Sequence, residues 1–477
     1  MLGIRPLSGL SRDERKLLLL LGGGSFVLMS NLSSINVALP QIQRDFDASL
    51  SEVKWVAIIG FIISASLTLL FGRVGDIYGR TRVYRAGMIT YTVGSCLCAV
   101  AVSLPMLLAF RVVMAGGMAM VIPLAGAILA AAAQPERRGQ LIGISASFAA
   151  AGQLMGPTIG GLLLDVASWR GIFVFNGGLG LLLCAAQFLL LRDGLEEKRP
   201  GRLDLAGAAL MLVAFPSLLL GLSFGASDGW REGSTVALLA LAAVGFIAFG
   251  VREARFSSPL VQFAYFRRMP FVVAITGISV TAIVQNPMTL FVPVYLQTVL
   301  DLSPLRVGLL MVSFPLATLL AGPIGGRLAD RYPPGLVAAG GLAILFVAVF
   351  TYAQLSEATS PILVVAPMIL AGVAGALSRT ANQVVAYQTV TPSAYGSLSA
   401  MLNSSMMLAG TLGTTITVGI SESLAESGDA ASFADAQSQT FMLLLPLIAL
   451  GVGVSLLGSW KRKDKPAPDL APTPTAG

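Results

Sequence analysis

Long apolar runs constrain this chain more than any other feature of its sequence. We count fourteen stretches of about 20 apolar residues, the length that an α-helix needs to cross the hydrocarbon core of a bilayer. Only 12% of the residues are charged, and the mean hydropathy is +0.80. Polar groups are therefore too few to cover the surface of a soluble fold. The sequence predicts an all-α membrane protein whose solvent is the lipid bilayer.

The distribution of positive charge predicts the topology of these fourteen spans. An even number of spans places both termini on one side of the membrane. Of the 31 lysines and arginines, 24 fall on that side, five fall on the other, and Arg111 and Arg379 lie inside spans. Because positively charged loops stay in the cytosol, we expect a multi-pass protein of the plasma (inner) membrane with both termini cytosolic. The predicted spans cover residues 17–40, 53–71, 83–103, 106–132, 140–164, 171–191, 204–224, 234–251, 270–297, 305–325, 335–354, 361–388, 397–420 and 440–460.

One short charged sequence occurs twice. Gly72-Arg73-Val74-Gly75-Asp76-Ile77-Tyr78 follows the second span, and Gly326-Arg327-Leu328-Ala329-Asp330-Arg331-Tyr332 follows the tenth. Such self-similarity indicates two related halves, and transporters built from repeats hold their substrate between them. The predicted division is a cytosolic segment 1–16, a six-helix bundle 17–203, two inserted helices with linkers 204–268, a second six-helix bundle 269–460, and a disordered cytosolic tail 461–477.

With these and further motifs, the chain resembles the major facilitator superfamily and, within it, the fourteen-helix branch of drug:proton antiporters. Residues 72–82 match the loop motif after helix 2, 107–117 match the helix 4 motif around an arginine, and 152–161 match the helix 5 antiporter motif. The stretches 36–40, 169–173 and 303–305 also fall where that branch has them. The resemblance covers nearly the whole chain. It implies an alternating-access transporter that exports small amphipathic compounds, as in multidrug efflux, with proton antiport.

The repeated loop is the expected gate. Asp76 lies at a helix end, where it can accept hydrogen bonds from the free backbone N–H groups of a neighbouring helix. The arginines beside it can pair with carboxylates of the other half, and such contacts would break when the transporter changes state. A basic loop that serves only topology is the alternative, but topology does not require a second aspartate. The residues assigned to this gating loop are Gly72, Arg73, Asp76, Gly79, Arg80, Arg82, Gly326, Asp330 and Arg331.

The helix 5 motif predicts a packing surface without side chains. Gly152, Gly156 and Gly160 recur every four residues and therefore share one helix face, with Gly161 beside them. Small residues in this pattern let a second helix approach closely, and we expect that helix to come from the opposite half. Pro157 removes one backbone hydrogen bond and should bend the helix. Simple helix packing without a role in exchange is the alternative.

Polar residues inside the spans outline a transport pathway. A charge within the bilayer is costly, so Arg111 should face a cavity or a partner, and snorkelling to the interface is the alternative for Arg111 and Arg379. Asn31 and Gln285–Asn286 occupy corresponding spans and are expected to meet near the midplane, where Pro287 would interrupt its helix. Amides that merely link helices are the alternative. The assigned substrate or coupling residues are Asn31, Asn36, Arg111, Gln285, Asn286, Arg379 and Asn382, with Phe61, Met114, Met155, Met288 and Phe291 lining the remainder.

Three positions depart from the antiporter branch, which has Asp, Tyr and Gln where this chain has Asn31, Gly60 and Met114. All 24 acids fall in loops or at helix ends, and the chain has no histidine. In one hypothesis, coupling has been lost or changed, and two intramembrane arginines form a positive cavity for an anionic or neutral amphipathic substrate. In the other, proton antiport persists through an acid at a helix end, such as Asp76, Glu52 or Asp301.

Other classes of function find little support in the sequence. The chain has no nucleotide-binding loop, metal-ligand spacing or nucleophile–base set, so we expect neither an enzyme nor a cofactor. Topology explains the net charge of +7 better than a nucleic-acid partner does. A membrane receptor without transport would not need the repeated loop. The expected partners are a small-molecule substrate, protons and the lipid bilayer, and we expect a monomer.

Overall fold

The computed structural model describes residues 11–190, 201, 203–227, 229–256, 259–356, 359–424 and 430–460. Most of the predicted N-terminal segment 1–16, and the whole predicted tail 461–477, lie outside the described residues. Over the described ranges the regular structure is helical throughout, with short 3-10 turns and no strand. The all-α class predicted from the apolar runs is therefore confirmed.

The described helices follow one another with short connections. Ser11 and Ser49 open the first two with capping boxes, in which the side chains of Glu14 and Glu52 return to the backbone of the capping serine. The helices are α1 Arg12–Asp45, α2 Leu50–Tyr78, α3 Arg80–Ala99, α4 Leu104–Ala132, α5 Arg138–Leu190, α6 Leu205–Ser227, α7 Gly233–Arg255, α8 Met269–Thr298, α9 Pro304–Met311, α10 Ser313–Arg331, α11 Pro334–Ala353, α12 Val365–Gln388, α13 Tyr395–Leu424, α14 Ala430–Met442 and α15 Leu445–Trp460.

Eleven helices within the described residues are long and apolar enough to cross a membrane. α5 has 53 residues, far more than one bilayer requires, and its backbone breaks at Ser168, where φ is 64°. The break separates the fifth and sixth predicted spans. The tenth predicted span is divided between α9 and α10, and most of the fourteenth lies in α15. The exact count of fourteen spans and the domain boundaries stay predictions.

Within each half, the helices pack around an apolar core. In the N-terminal half, α1 packs along α5 and α3 along α4, with Trp169 and Tyr91 fully buried. In the C-terminal half, α11 and α10 pack on α12, and Phe441 contacts the rings of Phe291 and Tyr352 edge-on. α6 and α7 pack on each other, and α6 also packs on α2. The halves meet chiefly where α2 crosses α13 and where α5 crosses α10.

Candidate functional site

Asp76 joins the two halves at the end of α2. Its Oδ1 accepts a hydrogen bond from the backbone N–H of Gly396 at 2.7 Å. Its Oδ2 accepts from Ser397, at 2.7 Å from the backbone N and 2.6 Å from Oγ. Both donors lie in the first turn of α13, where backbone N–H groups lack partners within the helix. The carboxylate of one half therefore caps a helix of the other half, as the sequence predicted.

Arg80 completes this buried cluster. Its Nε and Nη2 donate to Asp76 Oδ1 at 2.9 and 2.8 Å, and Nη2 also donates to the carbonyl of Pro392 across the interface. Asp76 and Arg80 are each 1% exposed. The guanidinium carbon of Arg80 lies 5.6 Å from the centre of the Tyr395 ring, and that of Arg138 lies 5.3 Å from the same ring. Tyr395 is thus contacted by one arginine from each of two N-terminal helices.

Asp330 makes the equivalent contact in the opposite direction. Its two carboxylate oxygens each accept one backbone N–H, from Gly139 and Gln140, at 2.8 Å. Each helix start that donates these hydrogen bonds follows a short 3-10 turn that begins with proline, Pro135 before α5 and Pro392 before α13. The pattern of proline, three residues, glycine and a polar residue therefore occurs once in each half. We name the two contacts the Asp76 clasp and the Asp330 clasp.

The helices that carry the clasps are in backbone contact. A methyl group on Gly143 would lie 2.2 Å from the carbonyl oxygen of Gly322, and one on Gly72 would lie 2.6 Å from that of Gly396. Ser147 adds a hydrogen bond from Oγ to the carbonyl of Leu319 at 2.7 Å. Only glycine permits such an approach of two helices. Gly139, Gly143 and Ser147 were not predicted as contact residues, although their spacing of four residues places them on one helix face.

The predicted partners of the loop arginines were partly wrong. Arg80 pairs with the aspartate of its own loop rather than with a carboxylate of the other half, and it reaches that half only through a backbone carbonyl. Arg73 is buried, whereas Arg82 and Arg331 are exposed. Gly79 has φ 104°, a conformation that favours glycine, and it joins α2 directly to α3. Local geometry explains the correction, because the turn at Gly79 brings Arg80 back to Asp76, four residues earlier in the sequence.

The partner predicted for the helix 5 motif was also wrong. Gly152, Gly156 and Gly160 face α1 of the same half, not a helix of the opposite half. Methyl groups at Gly152 and Gly156 would lie 2.3 Å from the carbonyl oxygen of Phe26 and 2.7 Å from that of Ser30, and Gly160 faces Ser34. Gly161 has no such neighbour within 4 Å, so it is not part of this surface. Pro157 lies inside α5, on the wall of a cavity.

Arg111 lies inside the N-terminal bundle and is 1% exposed. Its Nε donates to the carbonyl of Val56 at 2.9 Å, and its Nη1 donates to Asn31 Oδ1 at 3.0 Å. Nη1 also lies 3.6 Å from the sulfur of Met114. Its Nη2 has no hydrogen-bond partner among the described residues and lies 2.7 Å from the position of a methyl group on Gly60. Arg111 therefore points into the protein and does not snorkel to the interface.

The three positions that depart from the antiporter branch all contact this one guanidinium. Asn31 accepts a hydrogen bond from it, Met114 lies against it, and Gly60 lacks the side chain that would clash with Nη2. Among the residues that the structure describes, no carboxylate forms an ion pair with Arg111. The departures are thus a single local change around one buried positive charge.

Two cavities lie beside this site, on the side of the membrane away from the clasps. One, of about 460 Å³, lies between α1, α2 and α6. The other, of about 480 Å³, lies between α1 and α5. The first is lined by Leu32, Ile35, Asn36, Lys54, Trp55, Ala57, Ile58, Phe61, Ile62, Leu219, Leu220, Ser223 and Phe224. Asn36 lines both cavities, and no acidic side chain is among the lining residues.

The polar residues predicted in the C-terminal half are dispersed. Gln285 on α8 donates to the carbonyl of Ala371 on α12 at 2.6 Å. Asn382 donates to Ser378 within α12 itself, so both hydrogen bonds stay in the C-terminal half. The described hydrogen bonds of Gln285 and Asn31 go to Ala371 and Arg111, so these residues do not meet as predicted near the midplane. Asn286 is exposed and faces Gly410, and Arg379 is half-buried on α12.

Two further predictions for this half were wrong. α8 continues from Met269 to Thr298 through Pro287, so the proline does not interrupt the helix. Met288 and Phe291 are 1% and 4% exposed and belong to the apolar core rather than to a pathway. Phe61, by contrast, lines a cavity, and Met155 is exposed. The apolar pattern alone could not separate a core face from a cavity face.

The family model of the Major Facilitator Superfamily matches residues 21–414 and 273–476. The chain belongs to this superfamily. It is therefore a multi-pass membrane transporter. It is 30% identical over 408 residues to the Multidrug resistance protein Stp of Mycobacterium tuberculosis, covering 85% of this chain and 76% of that protein. It is 29% identical over 404 residues to the Tetracenomycin C resistance and export protein of Streptomyces glaucescens, covering 80% of this chain and 75% of that protein.

Solved structures of this superfamily share the fold of the transporter. The crystal structure of the human organic anion transporter MFSD10 matches with a TM-score of 0.64 and 17% identity, over 93% of this chain and 97% of that chain. The proton:xylose symporter XylE matches with a TM-score of 0.58 and 14% identity, over 92% and 95%. At these identities the likeness concerns the fold alone.

Proposed function

We propose that this transporter exports small amphipathic compounds across the plasma membrane by alternating access. The observation that carries the proposal is the pair of clasps. Two carboxylates from different halves seal the same side of the molecule, while both cavities lie toward the other side. Relatives named for multidrug resistance and for the export of tetracenomycin C support efflux as the direction. The distribution of lysine and arginine supports a cytosolic position for the clasps and termini.

Opening of the sealed side requires both clasps to release. Asp76 accepts five hydrogen bonds in a buried setting, and a hydrogen bond to a charged group contributes about 1.5–3 kcal/mol. Asp330 accepts two. A substrate that binds more tightly when the clasped side is open shifts the equilibrium between the closed and open states toward the open one. The size of the shift is set by the ratio of its affinities for the two states. The clasps thus set the free energy that substrate binding or a proton must overcome.

The cavity between α1, α2 and α6 is the proposed substrate site. Its walls are largely apolar, with Trp55, Phe61 and Phe224 as aromatic surfaces and Asn36 and Lys54 as polar groups. Such a lining suits a ligand with an apolar body and one polar end. Because α6 supplies one wall, we propose that the inserted pair of helices takes part in substrate binding and not only in linking the halves.

A more specific version of this proposal is that export of the substrate is coupled to proton import. Asp76 and Asp330 are its best candidates, since protonation would remove the charge that receives the hydrogen bonds of each clasp. Glu52 is exposed in a capping box and Asp301 is exposed, so neither is linked to the gate by a described contact. The second candidate function is an uncoupled or anion-exporting facilitator. The buried guanidinium of Arg111, which has no ion pair within the part of the chain that the structure describes, favours it.

Proteoliposomes that contain the full chain and a pH-sensitive dye test these proposals. Cationic, neutral and anionic fluorescent amphiphiles are offered in turn, with and without an imposed proton gradient. Transport of at least one amphiphile above the level of empty liposomes is expected. Proton movement that requires the substrate would support antiport, and transport without proton movement would support the facilitator. Binding without transport of any amphiphile would refute efflux and favour a receptor.

A further inference from the structure

Several buried donors of the N-terminal bundle have no acceptor within the described residues, and two of them belong to side chains that are hydrogen-bonded to each other. Arg111 Nη2 and Asn31 Nδ2 both lack partners, and the two residues are 1% and 0% exposed. The amide orientation of Asn31 is fixed by its neighbour, because Oδ1 must accept from Arg111 Nη1 at 3.0 Å. Nδ2 is therefore left as a donor. Buried polar groups without partners are rare in proteins and require an explanation.

The positive charge of the site excludes most explanations for these unpaired donors. The guanidinium stays protonated in proteins, so Arg111 brings a full positive charge into the membrane. Its described partners are a backbone carbonyl, an amide oxygen and a thioether, none of which carries a negative charge. A water molecule would satisfy a donor but would not balance the charge. A ligand that offers only acceptor atoms and a negative charge meets both requirements.

We propose that Arg111 and Asn31 bind the carboxylate of an amphipathic organic anion, whose apolar body lies in the cavity beside Phe61. This inference rests on the proposed function and names its substrate class. Gly60 lets the guanidinium lie close to α2, because a methyl group there would lie only 2.7 Å from Nη2. In the proposed complex, the carboxylate would receive one hydrogen bond from each unpaired donor.

The cavity between α1, α2 and α6 is placed to hold the rest of such a ligand. Leu32 lines it and follows Asn31 in sequence, and Phe61 lines it and follows Gly60. Its only charged lining residue is Lys54. A cationic amphiphile would meet Lys54 there without a lining acid, whereas an anion would be attracted by Lys54 and by Arg111 beside Gly60. The site therefore selects by charge as well as by apolar contact.

A matched pair of ligands tests the proposal by equilibrium binding to the purified full-length chain in detergent. Dansylglycine carries a carboxylate, and its methyl ester is a neutral molecule with the same fluorescent group. We expect the wild-type chain to bind the acid at least about tenfold more tightly, since a charge-assisted hydrogen bond is worth roughly ten- to a hundredfold in affinity. Equal affinity for acid and ester would overturn the proposal.

Two substitutions locate the effect. Asn31→Asp preserves the side-chain shape and places an internal carboxylate on Arg111, so the preference for the acid should fall by about tenfold or more while ester binding is unchanged. Arg111→Gln should abolish the preference for the acid. A double variant with both Arg111→Gln and Asn31→Asp should then bind the acid almost as well as Arg111→Gln alone. Arg170→Gln, which removes an arginine outside the cavity, is the matched control and should retain the preference.

Further measurements distinguish a wrong assignment of the binding residues from a wrong proposed function. If chloride binds the same donors, acid binding will be weaker in chloride than in gluconate buffer, which supports an anion site. If Asn31→Asp weakens acid and ester equally, or if the preference survives Arg111→Gln, the assignment to these residues is wrong. In proteoliposomes, export of the ester without preference for the acid would refute this inference and leave efflux intact. Absence of export for either compound would count against the proposed function itself.

Discussion

Asp76 on α2 and Ser397 on α13 are joined by two hydrogen bonds, both to Asp76 Oδ2, at 2.7 Å from the backbone N and 2.6 Å from Oγ of Ser397. A side chain of one half thereby replaces the partners that the first turn of a helix in the other half lacks. The positive end of the helix dipole also favours the carboxylate. Contact between the halves therefore depends on one buried charge, and neutralising that charge should affect the gate before it affects the fold.

Asp76→Asn should shift the conformational equilibrium toward opening of the clasped side. The substitution leaves the guanidinium of Arg80 buried without its carboxylate, and breaking a buried ion pair costs about 3–5 kcal/mol. Spin labels at positions 82 and 331, both exposed on this side, report the opening as a longer distance when the three cysteines are replaced by alanine. Asp330→Asn is the comparison, and its shift should be smaller because Asp330 accepts two described hydrogen bonds across the interface, whereas Asp76 accepts three there and two more from Arg80. A larger shift for Asp330→Asn would contradict this ranking.

Gly143→Ala should also open the clasped side, for a steric reason. The new methyl group would lie 2.2 Å from the carbonyl oxygen of Gly322, so α5 and α10 must move apart. Gly161→Ala is a matched control on the same helix, because no atom lies within 4 Å of its new methyl group. The label distance should increase for Gly143→Ala and stay unchanged for Gly161→Ala. Equal distances in both variants would show that the crossing of α5 and α10 does not hold the gate.

Gly156→Ala should reduce stability without opening the gate. Its methyl group would lie 2.7 Å from the carbonyl oxygen of Ser30, and this contact between α1 and α5 lies within one half. Overpacking typically costs about 1–3 kcal/mol. We expect a lower midpoint of thermal unfolding in detergent, with label distances like those of the wild type. A longer distance at an unchanged midpoint would instead place this contact in the gate.

Ser168→Gly should raise the midpoint of thermal unfolding. Ser168 has φ 64° and ψ 179°, a region that only glycine occupies readily, and such strain costs about 1–3 kcal/mol. Ser145→Gly is the control, because Ser145 lies in the helical part of α5, where glycine destabilises. The two variants should therefore shift the midpoint in opposite directions. A lower midpoint for Ser168→Gly would show that the serine side chain contributes more than the strain removes.

Asn31→Asp should increase proton movement per transported substrate. The variant places a titratable carboxylate against Arg111, at the position where the antiporter branch has one. Proteoliposomes with an internal pH dye compare it with the wild type at matched protein content. Asn36→Asp, five residues further along α1, adds the same group at a position with no described contact to Arg111. Equal proton movement in both variants would mean that the position of the acid is unimportant.

Much of the fold could be predicted because the bilayer allows few solutions. Apolar runs of helical length define spans, and the repeated Asp76 and Asp330 sequences identify the contacts between the halves. The acceptor role of Asp76 at a helix start followed from its position alone. Arg111 was identified as inward-facing because a charge exposed to lipid is costly.

Contacts that depend on helix rotation could not be predicted. Gly152 and Gly143 occur in the same helix with the same spacing, yet one row faces α1 and the other faces α10. Met288 is apolar and so fits a core or a cavity equally well. Only the packing of neighbouring helices decides which face meets which partner, and the period of a single sequence does not contain that information.

Each half of the chain contains both parts of a clasp, an aspartate at the end of one helix and a proline–glycine start at another. A polypeptide of half the length would therefore carry a self-complementary surface. In a pair of such polypeptides, the aspartate of each copy would contact the helix start of the other copy. This is the geometry of an isologous dimer with twofold symmetry. Tandem duplication of a gene for such a dimer would preserve the interface within one chain. It would also free the two copies to diverge, so that the first half could acquire Arg111 and its neutral neighbours while the second kept different polar side chains in its helices.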